Sequence, residues 1–262
     1  MKTIAAVILA VILSATTVHA NVAGDAVQVS IVTDSGRTLP LYPAASRHKI
    51  HKVYAEAVRG DHYRIVVQNR LGRRVGVVVA VDGRNIISGK KSWLRNSERM
   101  YIIEPYATNE YSGWRTNRDQ VNRFYFTDVP DSYAAAFKDE SAMGVIAVAV
   151  YPEIQRYEPP VGLYESAPSA PSASRSMAKK SAGAAAKAES DSAGTGYGSP
   201  EYSPSRQVSF EAESVALETI YLKYEWRTTL CRMGIVSCKK PPHRPSNRLW
   251  DDNGYAPPPP CR

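Results

Sequence analysis

Apolar residues recur at every second position in several short stretches of this chain, which is the period of a β-strand. Within residues 62–68, Tyr63, Ile65 and Val67 share one face, and polar side chains occupy the other. Residues 49–57 form a second candidate strand, and the Val-Arg-Gly-Asp sequence at 58–61 has the length and composition of a hairpin turn. The pattern predicts a β-hairpin with one buried face.

Two other stretches, 75–81 and 144–151, are apolar or small at nearly every position, which is typical of strands in the interior of a sheet. Further strands are predicted at 100–104 and 123–126, and a short helical turn at 131–137. Six to eight short strands at this spacing favour a mainly β fold. We expect an antiparallel β-sandwich or small barrel with one short helix.

The composition changes sharply after this β-rich part. Residues 167–200 include 10 Ala and 8 Ser but no Leu, Ile, Val, Phe or Trp, so they predict a disordered linker. Strand candidates return at 207–210 and 218–224, and so short a segment cannot form its own core. We therefore expect it to dock on the first domain. The predicted organisation is a signal peptide (1–20), a β-sandwich domain (21–160), a linker (161–205), C-terminal strands (206–236) and a Pro-rich basic tail (237–262).

The N-terminus has the order of an export signal. Lys2 precedes an apolar run at 4–13, and small and polar residues then lead to Ala20, where we expect cleavage. No second long apolar run follows, so no transmembrane helix is predicted after signal removal. The expected location is the periplasm or the extracellular space.

Export bears on the three cysteines, because oxidising compartments favour disulfides. Cys231 and Cys238 are close enough in sequence for a local bridge, which would leave Cys261 unpaired, and a mixed or intermolecular pairing stays open. The histidines at 48, 51 and 62 are close in sequence, which would suggest a metal site, but the predicted hairpin places His62 far from His51. No metal site and no cofactor are predicted.

Overall composition is that of a folded globular chain, with 44% hydrophobic and 22% charged residues, and the net charge is +8. Residues 47–95 carry 12 Lys and Arg against three acids. One interpretation is a set of charged strand edges and turns that prevents aggregation. The other is a surface for an anionic envelope lipid or polysaccharide, presented by turns that emerge at one end of the sandwich. Its candidate residues are Arg59, Arg64, Arg70, Arg73 and Arg74.

Known catalytic motifs are missing from the chain, including the nucleophile elbow, the zinc-protease helix and the phosphate-binding loop. Asp82 follows an apolar strand, but Asp82-Gly83 is first of all a turn sequence. No catalytic residue is assigned. The sequence favours a binding module for an envelope component or another envelope protein. The alternative is an envelope hydrolase whose site is not recognisable, and nothing in the motifs favours a nucleic-acid partner.

Several distinctive sequence blocks occur in order along the chain. They are Val81-Asp82-Gly83-Arg84-Asn85-Ile86-Ile87-Ser88-Gly89, Gly113-Trp114-Arg115, Phe124-Tyr125-Phe126, Asp131-Ser132-Tyr133-Ala134-Ala135, Gly144-Val145-Ile146, Gly194-Thr195-Gly196-Tyr197-Gly198, Val208–Glu211 and Ile220–Tyr224. Together these blocks resemble a family of exported bacterial proteins to which no activity is assigned. The resemblance implies a bacterial source, and it implies that the strands after the linker belong to the same unit as those before it. It brings no substrate or site residue.

Overall fold

The computed structural model describes residues 21–44, 46–155 and 192–238. The predicted signal peptide, the linker residues up to 191 and the tail beyond residue 238 lie outside the described residues. Strands dominate the described chain, and helix is confined to short segments. The prediction of a mainly β fold is confirmed.

Fourteen strands and one α-helix make up the regular structure of the described residues. Most of the strands are short. In chain order they are β1 (Val27–Thr33), β2 (Leu41–Pro43), β3 (Ile50–Ala57), β4 (His62–Asn69), β5 (Val75–Val81), β6 (Arg84–Asn85), β7 (Tyr101–Ile103), β8 (Thr108–Tyr111), β9 (Gly113–Arg115), β10 (Gln120–Asp128), β11 (Val145–Pro152), β12 (Ala193–Thr195), β13 (Pro200–Tyr202), β14 (Glu218–Trp226) and helix α1 (Arg227–Arg232).

The strands form two sheets. In the first sheet β1, β4, β10 and β12 are neighbours in that order, while β8 pairs with β4, and β9 and β13 pair with β10. In the second sheet the order is β2, β3, β14, β11, β5 and β6, with β7 also paired to β5. Buried side chains from both sheets belong to one hydrophobic cluster, so the sheets pack as a sandwich.

In the first sheet, every second residue of a strand contributes to the core. Val27, Val29 and Ile31 of β1 are fully buried, and the residues between them are half-buried. Tyr63 and Ile65 of β4 are buried in the same way. Burial of one such aliphatic side chain is worth about 1.5–3 kcal/mol, so the face that turns inward is strongly specified.

β5 and β11 are buried on both faces, as their continuous apolar sequences predict. Val78 and Ala149 belong to a second cluster, separate from the main core. This second cluster also contains Tyr151, and Leu94 and Met100 pack against it. The chain therefore covers the outer face of the second sheet as well as its inner face.

β14 lies in the middle of the second sheet although it follows the linker. It pairs parallel with β3 and antiparallel with β11, while the other described strand pairs are all antiparallel. Ile220, Leu222 and Tyr224 are fully buried. The segments before and after the linker thus share one core.

The predicted linker extends too far, because residues 192–205 are part of the sandwich. β12 and β13 both pair with β10. A side chain at Gly194 would place its Cβ 2.8 Å from the Cβ of Ser132, and one at Gly196 would place it 2.1 Å from a ring carbon of Tyr125. Small residues, which predicted disorder here, instead let the backbone pack closely on its neighbours.

β3 and β4 do not form the predicted hairpin. β3 lies in the second sheet and β4 in the first, so residues 58–61 carry the chain from one sheet to the other. Alternation specifies which face of a strand is buried, but it does not specify which strand lies beside it. The turns at 58–61 and 70–74 lie at opposite ends of β4, so the expectation that they project from one end is wrong.

The predicted helical turn at 131–137 is formed in part, by 3₁₀ turns at 129–131 and 135–137. The α-helix α1, which was not predicted, follows β14 directly. Residues 207–210, a predicted strand, are not in a strand. Cys231 of α1 is bonded to Cys238, seven residues further on, and this local bridge closes the end of the described chain.

Candidate binding groove

An open groove runs along the side of the sandwich where β7 and β8 lie. Among the described strands, β7 pairs only with β5 and β8 only with β4. Residues 203–212 cross this side: the amide of Ser205 donates to the carbonyl of Arg118, and the carbonyl of Glu211 accepts from Ile154 beyond β11. The groove between this segment and the two strands, called the edge groove here, has a volume of about 1110 Å³.

Arg115 fixes the 203–212 segment to the sandwich. Its guanidinium donates to the carbonyl of Ser203 at 2.7 Å and to the hydroxyl of the same residue at 3.0 Å. Its Nε donates to the hydroxyl of Tyr101 at 2.7 Å, and the Tyr101 ring stacks on Tyr111 with 4.3 Å between centroids. The donors of Arg115 are therefore committed to shaping the groove.

The carboxylates that line the edge groove already have partners within the protein. Burial opposes ionisation of Glu98, but hydrogen bonds from two backbone amides and a serine hydroxyl outweigh it and lower the pKa of Glu98. Glu104 lies 3.5 Å from the guanidinium of Arg74, and Glu110 lies 2.8 Å from that of Arg64. Glu104 and Glu110 are thus held in ion pairs, and Glu98 is held by hydrogen bonds, all within the protein.

Three arginines of the groove lack such partners. Arg99, Arg118 and Arg206 line the groove with exposed side chains, and no carboxylate of the described residues lies within ion-pair distance of them. Guanidinium groups bind carboxylates and phosphates through paired, charge-assisted hydrogen bonds. The charge that the groove offers to a ligand is positive. Its described lining contains no His or Cys.

Four of the five arginines predicted from the sequence are held in ion pairs. Arg70 is exposed, and within the described chain no carboxylate is within ion-pair distance of it. Exposed pairs of this kind contribute little stability, but they occupy the guanidinium groups. The pairs are Arg59 with Asp128 at 2.6 Å, Arg64 with Glu110 at 2.8 Å, Arg73 with Glu213 at 3.0 Å and Arg74 with Glu153 at 2.8 Å.

A smaller cleft of about 260 Å³ adjoins the edge groove and shares Arg115 and Thr116 with it. Its aromatic lining consists of Trp114, Tyr133 and Tyr197. The Tyr197 ring stacks on Tyr133 with 5.3 Å between centroids, and Tyr133 in turn lies 4.4 Å from Trp114. We call this feature the aromatic cleft.

Asp82 lies in the turn after β5, as predicted, but its carboxylate is buried in the core. It accepts hydrogen bonds from the hydroxyl of Tyr224 at 2.6 Å and from the amides of Gly144 and Thr195 at 2.8 and 2.7 Å. The single hydroxyl proton of Tyr224 is thus used, so Tyr224 accepts from Thr195 Oγ1, and Thr195 accepts from Tyr63. This chain of buried groups, the Asp82 network, joins both sheets.

Burial raises the pKa of Asp82 to about 6, although the hydrogen bonds from Tyr224, Thr195 and Gly144 act in the opposite direction. Burial likewise raises the pKa values of Tyr63 and Tyr224 well above 10.0, so both remain protonated donors at neutral pH. All four side chains of the network are at most 1% exposed, so no substrate can reach them. The arrangement supports the fold rather than catalysis.

A second polar cluster anchors the start of β1. Glu218 accepts hydrogen bonds from the amides of Asp25 and Val27 at 3.0 and 2.6 Å. His51 Nε2 lies 3.3 Å from Glu218 and 3.5 Å from Asp25, close enough for the three side chains to hold a metal ion. The hydrogen bonds from the two backbone amides explain the position of Glu218, which anchors the start of β1. His51 lies in β3 of the second sheet and His62 in β4 of the first.

Sequence reasoning did not find the groove arginines. Arg99, Arg118 and Arg206 come from three separate polar segments, and two of them lie outside the basic stretch at 47–95 by more than twenty residues. Only the path of the 203–212 segment brings Arg206 to the edge strands. No local signal in the sequence marks these residues.

Comparison with family models, curated proteins and solved structures finds no match for this chain. Within the described ranges, no helix has the length and apolar character needed to cross a membrane.

Proposed function

We propose that this chain is an exported bacterial binding module whose edge groove holds an anionic polymer of the cell envelope. The observation that carries the proposal is the charge balance of the groove: its carboxylates have ion-pair or hydrogen-bond partners within the protein, while Arg99, Arg118 and Arg206 are available to a ligand. The lining has four arginines against three glutamates, and two of these glutamates pair with further arginines outside it, so the groove attracts negative charge.

The shape of the site favours a linear polymer over a flat lipid surface. The edge groove is concave, and its arginines come from both walls, Arg99 from one and Arg206 from the other. A headgroup layer cannot enter between the walls, whereas a single extended chain can. Binding through exposed arginines is weakened by salt, because screening acts over about 8 Å at physiological ionic strength.

Changing Arg99, Arg118 and Arg206 together to Ser tests the proposal. Each exposed contact is worth up to about 1 kcal/mol, so we expect the triple variant to lose about tenfold or more in affinity for a polyanion. Poly-L-glutamate and polygalacturonate are the probes, measured by calorimetry at low and high salt, with neutral dextran and phosphatidylglycerol vesicles for comparison.

A matched control keeps the same change in net charge. Arg47, Arg70 and Arg95 lie outside the groove lining, and their joint replacement by Ser is expected to leave binding unchanged. Equal losses in the two triple variants would show a diffuse charge effect. Absence of wild-type binding to both polyanions at low salt would contradict the proposal.

A further inference from the structure

Tyr197 is the exposed end of an ordered column of aromatic rings. It stacks on Tyr133 at an interplanar angle of 15°, and Tyr133 packs on Trp114, which is 2% exposed. Tyr197 itself remains 45% exposed. Since one face of its ring meets Tyr133, the exposed part is available to a ligand.

The backbone around Tyr197 is held from both sides. The amide of Gly196 donates to the carbonyl of Tyr125, and the amide of Gly198 donates to that of Arg123. Trp114 Nε1 donates to the carbonyl of Gly196 at 3.0 Å. The ring is therefore positioned before any ligand arrives, and a rigid aromatic contact costs little conformational entropy on binding.

Phe137 is also exposed and packs edge-on against Tyr133, but it does not line the aromatic cleft. The most exposed aromatic residues are not part of the column. Trp93, Tyr106 and Tyr202 are each more than 65% exposed, and no ring stacking involves them within the described residues. None of the three lines the aromatic cleft. Tyr197 differs because it combines exposure, a fixed orientation and a neighbouring cavity.

The cavity beside this ring has the chemistry of a sugar subsite. A pyranose ring presents C–H groups on its faces and hydroxyls around its rim, and the electron-rich face of an aromatic ring attracts such C–H groups. The aromatic cleft has room for one sugar ring, and its polar lining includes Ser88 and Thr116. A poly-L-glutamate chain or a polyphosphate has no ring to place there.

We infer that the aromatic cleft binds one sugar ring of an acidic polysaccharide whose negatively charged groups lie along the edge groove. This inference rests on the proposed function and specifies its substrate class. The two sites are adjacent, because Arg115 and Thr116 line both. One linear polymer can thus occupy the cleft and the groove together.

The test compares a hexasaccharide of galacturonic acid with poly-L-glutamate, using Tyr197→Ala, Tyr197→Phe and Tyr202→Ala. Removing the Tyr197 ring is expected to weaken hexasaccharide binding about tenfold and to leave poly-L-glutamate binding unchanged, because only the sugar uses the ring. The Phe variant keeps the ring and should bind as the wild type does. Tyr202, which is 76% exposed and outside both sites, is the matched control. Thermal melts establish that every variant is folded.

The outcomes separate the two proposals. Equal hexasaccharide binding by wild type and Tyr197→Ala overturns the sugar subsite, and so does an equal loss for both ligands. If the wild type binds poly-L-glutamate in the groove but not the hexasaccharide, the inference fails while the proposed function stands. If it binds neither ligand at low salt, both fail.

Discussion

A chain of residues 21–160 is expected to lack a cooperative unfolding transition, because it ends before β14. Ile220, Leu222, Tyr224 and Trp226 of that strand are buried between β3 and β11. At about 1.5–3 kcal/mol for each large buried side chain, their loss removes about 6–12 kcal/mol. That is comparable to the entire stability of an ordinary domain, about 5–15 kcal/mol.

The truncation also disrupts the Asp82 network. Tyr224 and Thr195 both lie beyond residue 160, and without them the Asp82 carboxylate loses two of its three hydrogen-bond donors. A buried carboxylate left without partners is costly, so the two effects act together.

Calorimetric scans of two chains check this expectation. A chain of residues 21–238 contains every described element and serves as the control. Mixing the 21–160 chain with a separate 192–238 chain is expected to restore a cooperative transition, because strand pairing does not require a covalent connection. A 21–160 fragment that melts cooperatively within a few degrees of the control would contradict the shared core.

The stability of the protein is expected to fall as the pH rises from about 4 to about 7, through ionisation of Asp82. Its folded-state pKa is about 6, against an ordinary value of 3.8, so the native state binds this proton more tightly than the unfolded state does. The resulting stabilisation is complete below pH 3.8 and is lost as the pH rises through about 6. Its full size is about 3 kcal/mol.

Urea denaturation of the wild type and of Asp82→Asn across this pH range measures the effect. The Asn side chain does not titrate. The unfolding free energy of the wild type should therefore fall by about 3 kcal/mol relative to that of the variant as the pH rises. Parallel curves for the two proteins would show that Asp82 ionises in the native state as it does in the unfolded chain.

Asp139→Asn provides a control with the opposite sign. Burial opposes ionisation of Asp139, but hydrogen bonds from Ser141 and Lys91 outweigh it and lower its pKa. The stability that Asp139 contributes is therefore present above the ordinary carboxyl pKa and is lost only in more acidic solution. Between about pH 4 and pH 7 this variant should retain the pH dependence of the wild type.

Local sequence patterns predicted about half of the described strands, because burial of a strand face shows as an apolar residue at every second position. β5 is an example: the range predicted from its continuous apolar sequence is the observed one, and the strand is buried on both faces. The short strands β8 and β9 were not predicted, and neither was β1 despite its regular alternation. Composition failed for residues 192–205, since small residues are typical both of disordered chain and of backbone packed closely on its neighbours.

The sequence by itself determined which faces are buried, that the fold is mainly β and that Cys231 and Cys238 are close enough along the chain to pair. Only the tertiary structure decided which strands are neighbours, which arginines are available and how Asp82 reaches Tyr224, 142 residues away. The physical reason is that burial acts on each residue locally, whereas neighbours are chosen by packing between distant segments. The edge groove, built from three such segments, therefore has no signature in any one of them.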